Sequence, residues 1–265
     1  SFLKMLKGAM DELRLGDPCD RTTDIGPVID AKAQQQITSY IQAAANDGRV
    51  LHQVAAPSNG WFVPPTLIQV DGIGDLTHEV FGPVLHVATF KAEQINQVIA
   101  DVNDTGFGLT FGLHTRIDSR VQHVADAVHA GNVYVNRNQI GAIVGSQAFG
   151  SEGLSGTAPK ACGPSYVVRF TAPETPSARD TWQCDCDMTK LQQKIDDATT
   201  RGFIYEIDLP GPKGESNRLR LIPRGPILCL GPGAEAAAAQ AKAVSGLGGV
   251  AVTVDGDVAP DVLTT

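Results

Sequence analysis

Apolar residues recur at helical spacing in the first stretch, SFLKMLKGAMDELRLGDP, where Phe2, Leu3, Leu6, Ala9, Met10 and Leu13 share one side. Gly16-Asp17-Pro18 predicts the end of that helix, because proline cannot continue it and glycine suits a terminating turn. The pattern is already running at Ser1, with no initiating methionine, so the chain reads as a piece of a longer polypeptide. AKAQQQITSYIQAAANDG predicts a second helix of about four turns, closed by Asp47-Gly48. VLHQVA and FVPPTLIQV have strand character. Pro64 and Pro65 predict an edge or irregular position for the latter, since proline donates no ladder hydrogen bond. VLHVATF alternates as a strand, and AEQINQVIADVNDTG is helical, with Ile95, Val98, Ile99 and Val102 on one face. LTFGLHT, IDSRVQHVADAVHAG and NVYVN follow as strand, helix capped at Gly131, and strand. This alternation predicts an α/β layer architecture on a mainly parallel sheet.

From Asn138 to Pro164 the periodicity disappears into a glycine-dense stretch, NQIGAIVGSQAFGSEGLSGTAPKACGP. Long ordered glycine-rich loops are uncommon, and such stretches are usually either functional or disordered. SYVVRF reads as a further strand, and the polar, proline-bearing TAPETPSARDTWQCDCD as a linker. A second unit then begins with helix MTKLQQKIDDATTRG and strand FIYEI. It closes with GPILCLGPGAEAAAAQAKAVSGLGGVAVTV, which has the strand, glycine turn, helix and strand of a βαβ unit. Its turn, GPGAEA, lacks the GxGxxG spacing, which favours a packing unit without a ligand.

Composition narrows the classes. With 265 residues and 42% hydrophobic content the chain can bury the core of one or two domains. A net charge of −8 argues against broad binding to nucleic acid or anionic membrane. No apolar run approaches the roughly 20 residues that span a bilayer. Five scattered cysteines, an odd number, suggest reduced thiols and a cytoplasmic setting. Cys184 and Cys186 form a lone CxC and no histidine spacing suggests ligands, so no metal site is expected.

Two stretches carry candidate chemistry. In THEVFGPVLHVATF, Glu79 precedes the stiff Gly82-Pro83 turn and lies beside the large apolar Phe81. A carboxylate at the mouth of a parallel sheet can accept two hydrogen bonds from a vicinal diol such as a ribose; the alternative is a solvated charge at a strand start. In the glycine-rich stretch, Gly141 permits a close backbone approach, and successive amides in such a bend form an anion-binding nest. Phe149 could wall a pocket there, the alternative being a surface loop. No cysteine has an activating neighbour. Cys162, in KACGP, is the one candidate nucleophile, and a simple loop thiol is the preferred reading.

GDPCDRTTDIGPVID, HEVFGPVLHV, NDTGFGLTFGLHT, GNVYVNR and FGSEGLSGT, in that order and spacing, resemble the C-terminal half of an NAD(P)-dependent aldehyde dehydrogenase over about residues 1–172. NRNQIGAIVGSQAFGSEGLSGT resembles the aldehyde anchor loop of L-glutamate γ-semialdehyde (Δ1-pyrroline-5-carboxylate) dehydrogenase. The likeness is to the version in bacterial proline utilization A proteins, which fuse it to a proline dehydrogenase. NRLRLIPRGPILCLGPGAEAAAAQA resembles the extra aldehyde-dehydrogenase-like domain that covers the active site in long members of that group. The resemblance implies three regions: 1–172 from the three-layer α/β/α catalytic domain, 173–187 as linker, and 188–265 from the covering domain.

The resemblance also implies roles. Glu79 would hold the nicotinamide ribose hydroxyls of NAD and Phe81 would pack beside them. Gly141 and Ala142 would present backbone amides to the substrate α-carboxylate, and Phe149 would line the aldehyde pocket. Ser155 is assigned only to loop structure. The implied reaction oxidises L-glutamate γ-semialdehyde to L-glutamate: a cysteine attacks the aldehyde, hydride leaves to NAD⁺, and a glutamate-activated water hydrolyses the thioester. Both of those catalytic groups, and the main Rossmann domain, would precede residue 1, so this chain alone is expected to be inactive. FAD would belong to the upstream proline dehydrogenase, and the expected partners are the rest of the parent polypeptide and further copies of it. Two departures stand out: Phe149-Gly150-Ser151 replaces a frequent FGG, and Cys162 a frequent glycine. Competing readings are a non-catalytic covering or interaction module, and an aldehyde dehydrogenase of other substrate range.

Overall fold

The opening helix forms as α1 (Phe2–Asp11) and stops well before Gly16. The chain beyond it is drawn into pairing with the segment around Ile25. Arg14 donates its N–H to Asp24 Oδ2 at 2.9 Å, its carbonyl accepts from the Ile25 N–H at 3.2 Å, and Leu15 and Ile25 form a β-bridge. Main chain committed to a neighbour cannot also extend a helix. The computed structural model describes residues 2–156, 159–171, 187–198, 202, 204–231 and 233–253. They fall into two compact units, Ser1–Asn138 with Glu152–Gly156, and Gln139–Ser151 with Thr157–Thr265.

In the first unit, α2 (Ala31–Asn46) starts where Asp30 accepts the Ala33 N–H at 2.7 Å, an N-cap that satisfies an otherwise orphaned donor. It buries Ile37, Ile41 and Ala44 against a three-stranded sheet of β1 (Val50–Gln53), β2 (Thr66–Gln69) and β3 (Val84–Val87). The strand order is β1-β2-β3, so β2 is central rather than at the edge, and of the two positions expected from Pro64 and Pro65 it is the irregular one that is met, its ladder with β1 shifting register between Val50 and His52. Both prolines precede the first ladder residue and act as acceptors. The Pro64 carbonyl takes the Thr66 hydroxyl at 2.7 Å and the Pro65 carbonyl takes the Val54 N–H at 3.0 Å. Leu67 and Ile68 then lie fully buried between the flanking strands.

The unit continues through α3 (Ile95–Asp104), β4 (Phe107–Gly108), β5 (Thr110–Leu113), α4 (Asp118–Ala127), β6 (Asn132–Val135) and β7 (Glu152–Gly153). Helix α4 ends at Ala127, short of the expected Gly131. Asn103 on α3 closes it, its Nδ2 donating to the Ala127 carbonyl at 2.9 Å and its Oδ1 accepting the His129 N–H at 2.8 Å. Strands β5 and β6 pair in parallel, while β4 and β7 pair antiparallel.

In the second unit the expected SYVVRF strand is instead a 3-10 turn over Val167–Phe170. Tyr166 and Phe170 meet edge-to-face with centroids 5.4 Å apart, a local i,i+4 contact that an extended strand could not make. Helix α5 (Met188–Asp196) is capped by Asp187 and buries Leu191 against Val252. β8 (Tyr205–Leu209) and β9 (Asn217–Leu221) form an antiparallel hairpin. The expected βαβ unit is present as β10 (Ile227–Cys229), α6 (Gly233–Gly246) and β11 (Ala251–Thr253), its strands parallel. The sheets are therefore mixed rather than mainly parallel among the described residues. The pairs joined through an α-helix, β5–β6 and β10–β11, are parallel, as is β2–β3, while the β8–β9 hairpin, β1–β2 and β4–β7 are antiparallel. The expected linker lies almost wholly outside the described residues, as do Cys184 and Cys186.

Candidate functional site

Glu79 and Phe81 alternate with Val80 on the segment entering β3. Val80 turns inward onto the cluster of Ile37, Ile41 and Val63, which leaves Glu79 and Phe81 exposed, Phe81 by 77%. Gly82 lies against α2: a Cβ there would sit 2.7 Å from Ile37 Cδ1, so a side chain would require the end of Ile37 to shift. Pro83 passes the chain into the sheet, its carbonyl accepting the Thr66 N–H at 2.9 Å. Among the described residues the Glu79 carboxylate makes no hydrogen bond or ion pair, so both oxygens can serve a ligand.

Tyr40, one turn along α2 from Ile37, secures both ends of this segment. Its hydroxyl is 2.8 Å from His86 Nε2, and its ring meets the edges of His78 and His86 with centroids 5.8 and 5.7 Å apart. His86 is half-buried, and loss of solvation, with Arg49 adding to it, lowers its pKa below the ordinary 6.5. His86 therefore stays neutral in this network near pH 7. Neither Tyr40 nor the histidines could be assigned from sequence spacing, because the contact joins residues 46 apart.

The second cluster lies in the glycine-rich loop of the other unit. Gly141 has φ +70° and Gly145 φ +86°, both in the left-handed region. Among the described residues the Ala142 N–H makes no hydrogen bond. A Cβ on Gly141 would meet nothing within 4 Å, so the restriction on this position is its backbone angle rather than crowding. Phe149 is half-buried and fixed by paired main-chain bonds with Ala161, 3.0 Å in one direction and 2.7 Å in the other. Glu79 and Phe81 thus belong to the first unit, and Gly141, Ala142 and Phe149 to the second. Ser155 is structural, its hydroxyl accepting the Gly108 N–H at 3.0 Å.

The Aldehyde dehydrogenase family profile matches residues 1–175. The chain belongs to the aldehyde dehydrogenase family. It is 40% identical to the Bifunctional protein PutA of Salmonella typhimurium over 290 residues, covering 96% of this chain and 22% of that protein. It is 37% identical to a 1-pyrroline-5-carboxylate dehydrogenase of Geobacillus over 169 residues, 63% of this chain and 32% of that one. Among solved structures, proline utilization A from Bradyrhizobium japonicum matches with TM-score 0.61 and 46% identity over 63% of this chain and 17% of its own. A 1-pyrroline-5-carboxylate dehydrogenase from Thermus with bound NAD matches with TM-score 0.57 and 32% identity, again over 63% of this chain and 33% of its own. The chain spans about a fifth of the PutA relatives and a third of the dehydrogenases.

This aldehyde dehydrogenase segment holds no group of three His, Cys, Asp or Glu that could bind a metal among its described residues, and no described helix is long and apolar enough to cross a membrane. Cys162 is exposed and adopts φ +60°, the conformation that a glycine at this position would take without strain. Cys229 is buried, which pushes its thiol pKa up and makes it a poor nucleophile. The βαβ turn is occupied by its own helix. Gln240 accepts the Gly231 N–H at 3.1 Å and donates to the Gly231 carbonyl at 2.7 Å. That amide is not available to a phosphate.

Proposed function

We propose that this chain is part of a longer, cytoplasmic NAD-dependent dehydrogenase that oxidises L-glutamate γ-semialdehyde to L-glutamate in proline catabolism. The observation that carries this reading is the exposed, unengaged Glu79 carboxylate beside exposed Phe81, on a segment locked by Ile37 and Tyr40. A carboxylate fixed in this way, with both oxygens uncommitted, fits a ribose diol, and the apolar Phe81 face beside it fits the adjoining sugar. NAD, when bound, supplies the hydride acceptor. Glu79 and Phe81 would orient it, the Gly141 and Ala142 amides would take the substrate carboxylate, and Phe149 would line the aldehyde pocket. The 37–40% identity to PutA and 1-pyrroline-5-carboxylate dehydrogenases supports this substrate class. The parent is expected to be a homo-oligomer.

The test is Glu79→Gln in the parent polypeptide. Charge-assisted hydrogen bonds contribute about 1.5–3 kcal/mol each and an amide retains part of that, so the KM for NAD⁺ should rise or the hydride step slow. The KM for the semialdehyde should hardly change. A change confined to the aldehyde KM would move Glu79 into the substrate pocket. For residues 188–253 a second reading, a non-catalytic covering module, is favoured by the Gln240 side chain occupying the Gly231 turn.

A further inference from the structure

Gln147 is one of the few buried polar side chains among the described residues, 9% exposed, and it has partners from two separate parts of the second unit. Its Oε1 accepts the Ile143 N–H at 3.2 Å, while its own N–H donates to the Ile143 carbonyl at 2.8 Å. Its Nε2 donates to Glu215 Oε1 at 3.0 Å and to Asn217 Oδ1 at 3.2 Å. The orientation follows from chemistry: turned over, the amide would set its oxygen against a carboxylate and its NH2 against an N–H. Glu215 and Asn217 lie at the turn and first rung of the β8–β9 hairpin, where Asn217 pairs with Leu209.

The loop is unequally held. Its later part is fixed, with Ala148 buried and Phe149 bridged to Ala161. Its earlier part stands out, Ile140 being 86% and Val144 81% exposed. Gln147 joins the two, because it grips Ile143, the residue directly after Ala142, and is itself gripped by the hairpin. We propose that Gln147 is a positioning residue that sets the Gly141-Ala142 bend through Glu215 and Asn217, so that a hairpin some 70 residues away governs recognition of the substrate carboxylate. This rests on the reading of Gly141 and Ala142 as the carboxylate anchor.

Two measurements separate the coupling from that reading. In the 265-residue chain, Gln147→Glu keeps the acceptor for Ile143 but sets a carboxylate against Glu215. Exchange of the Ile143 and Gln147 amides should accelerate roughly tenfold, the loss expected when a buried hydrogen-bonded pair is replaced by a repulsive one. Adding Glu215→Gln supplies a donor to Glu at 147 and should restore slow exchange, while the β8–β9 ladder amides stay slow throughout. Where Gln147→Glu does not fold, Asn217→Ala decides, by removing one of the three side-chain bonds. Unchanged exchange in the variant, or no restoration in the double variant, overturns the coupling. In the parent polypeptide, Gln147→Glu should raise the KM for the semialdehyde and leave kcat and the KM for an aliphatic aldehyde without a carboxylate unchanged, with recovery in the double variant. Altered exchange with both aldehydes affected alike overturns the anchor reading, and the positioning role with it.

Discussion

Tyr40 and His86 are joined by a 2.8 Å hydrogen bond between phenol oxygen and Nε2, linking the helix that underlies the Glu79 segment to the strand that segment enters. Tyr40→Phe removes this bond and preserves the edge contact with His78. The cost should be about 1 kcal/mol, read as a lower urea midpoint. Tyr40→Ala should also speed amide exchange at Gly82 and Val84. If Tyr40→Ala left those amides unchanged, Ile37 and Val80 alone would be holding the segment.

The same pair predicts a pH dependence. Burial lowers the His86 pKa from 6.5, so as pH falls past that value the unfolded chain takes up a proton that the folded chain resists. The contribution of His86 is complete above 6.5 and is lost as pH drops toward the lowered folded value. Nearby Arg49 strengthens this trend. Thermal unfolding from pH 8 to 5 should show a decline in the wild type that is shallower in His86→Gln. Parallel curves would remove His86 as its source.

Gly141→Val in the parent should impair oxidation of the semialdehyde far more than that of a simple aliphatic aldehyde. With nothing within 4 Å of a Cβ, the damage comes from forcing a β-branched residue to φ +70° and so unbending the loop. Losing one or two charge-assisted bonds corresponds to roughly tenfold to a thousandfold in kcat/KM. Equal losses for both aldehydes, at unchanged unfolding temperature, would contradict the anchor.

Cys162→Gly should stabilise the chain by about 0.5–1 kcal/mol, since it relieves a left-handed non-glycine residue at the expense of some unfolded-state entropy. A raised urea midpoint checks this. A lowered one would mean that the thiol makes a favourable contact worth more than the strain.

The 265-residue chain supplied with NAD⁺ and the semialdehyde should form no NADH, because the family nucleophile is expected before residue 1. Turnover abolished by Cys162→Ala would make Cys162 the nucleophile.

The parts of this structure governed by local chemistry were legible in the sequence. The helix read in AKAQQQITSYIQAAANDG forms as α2, and the strand–glycine–helix–strand order of GPILCLGPGAEAAAAQAKAVSGLGGVAVTV predicts the parallel βαβ unit. The exposure of Glu79 and Phe81, by contrast, follows from Val80 turning inward between them onto the α2 cluster. Elsewhere distant partners overrode local pattern. Ile25 cuts short α1, and Asn103 closes α4 before Gly131 is reached. Val167–Phe170 has strand composition but follows an aromatic contact within its own turn. Tyr40, against His78 and His86, and Gln147, against Ile143, Glu215 and Asn217, are polar residues whose importance depends on partners brought near only by folding.

Gln240 gives the second unit an internal ligand. Its amide offers the Gly231 main chain the donor and acceptor that a visiting molecule would have to supply, and it is tethered to the helix that follows the turn. A free ligand would have to displace a group whose effective concentration is set by the fold and cannot be diluted. The Gly231 main chain is thereby kept out of competition for the dinucleotide that Glu79 is proposed to hold.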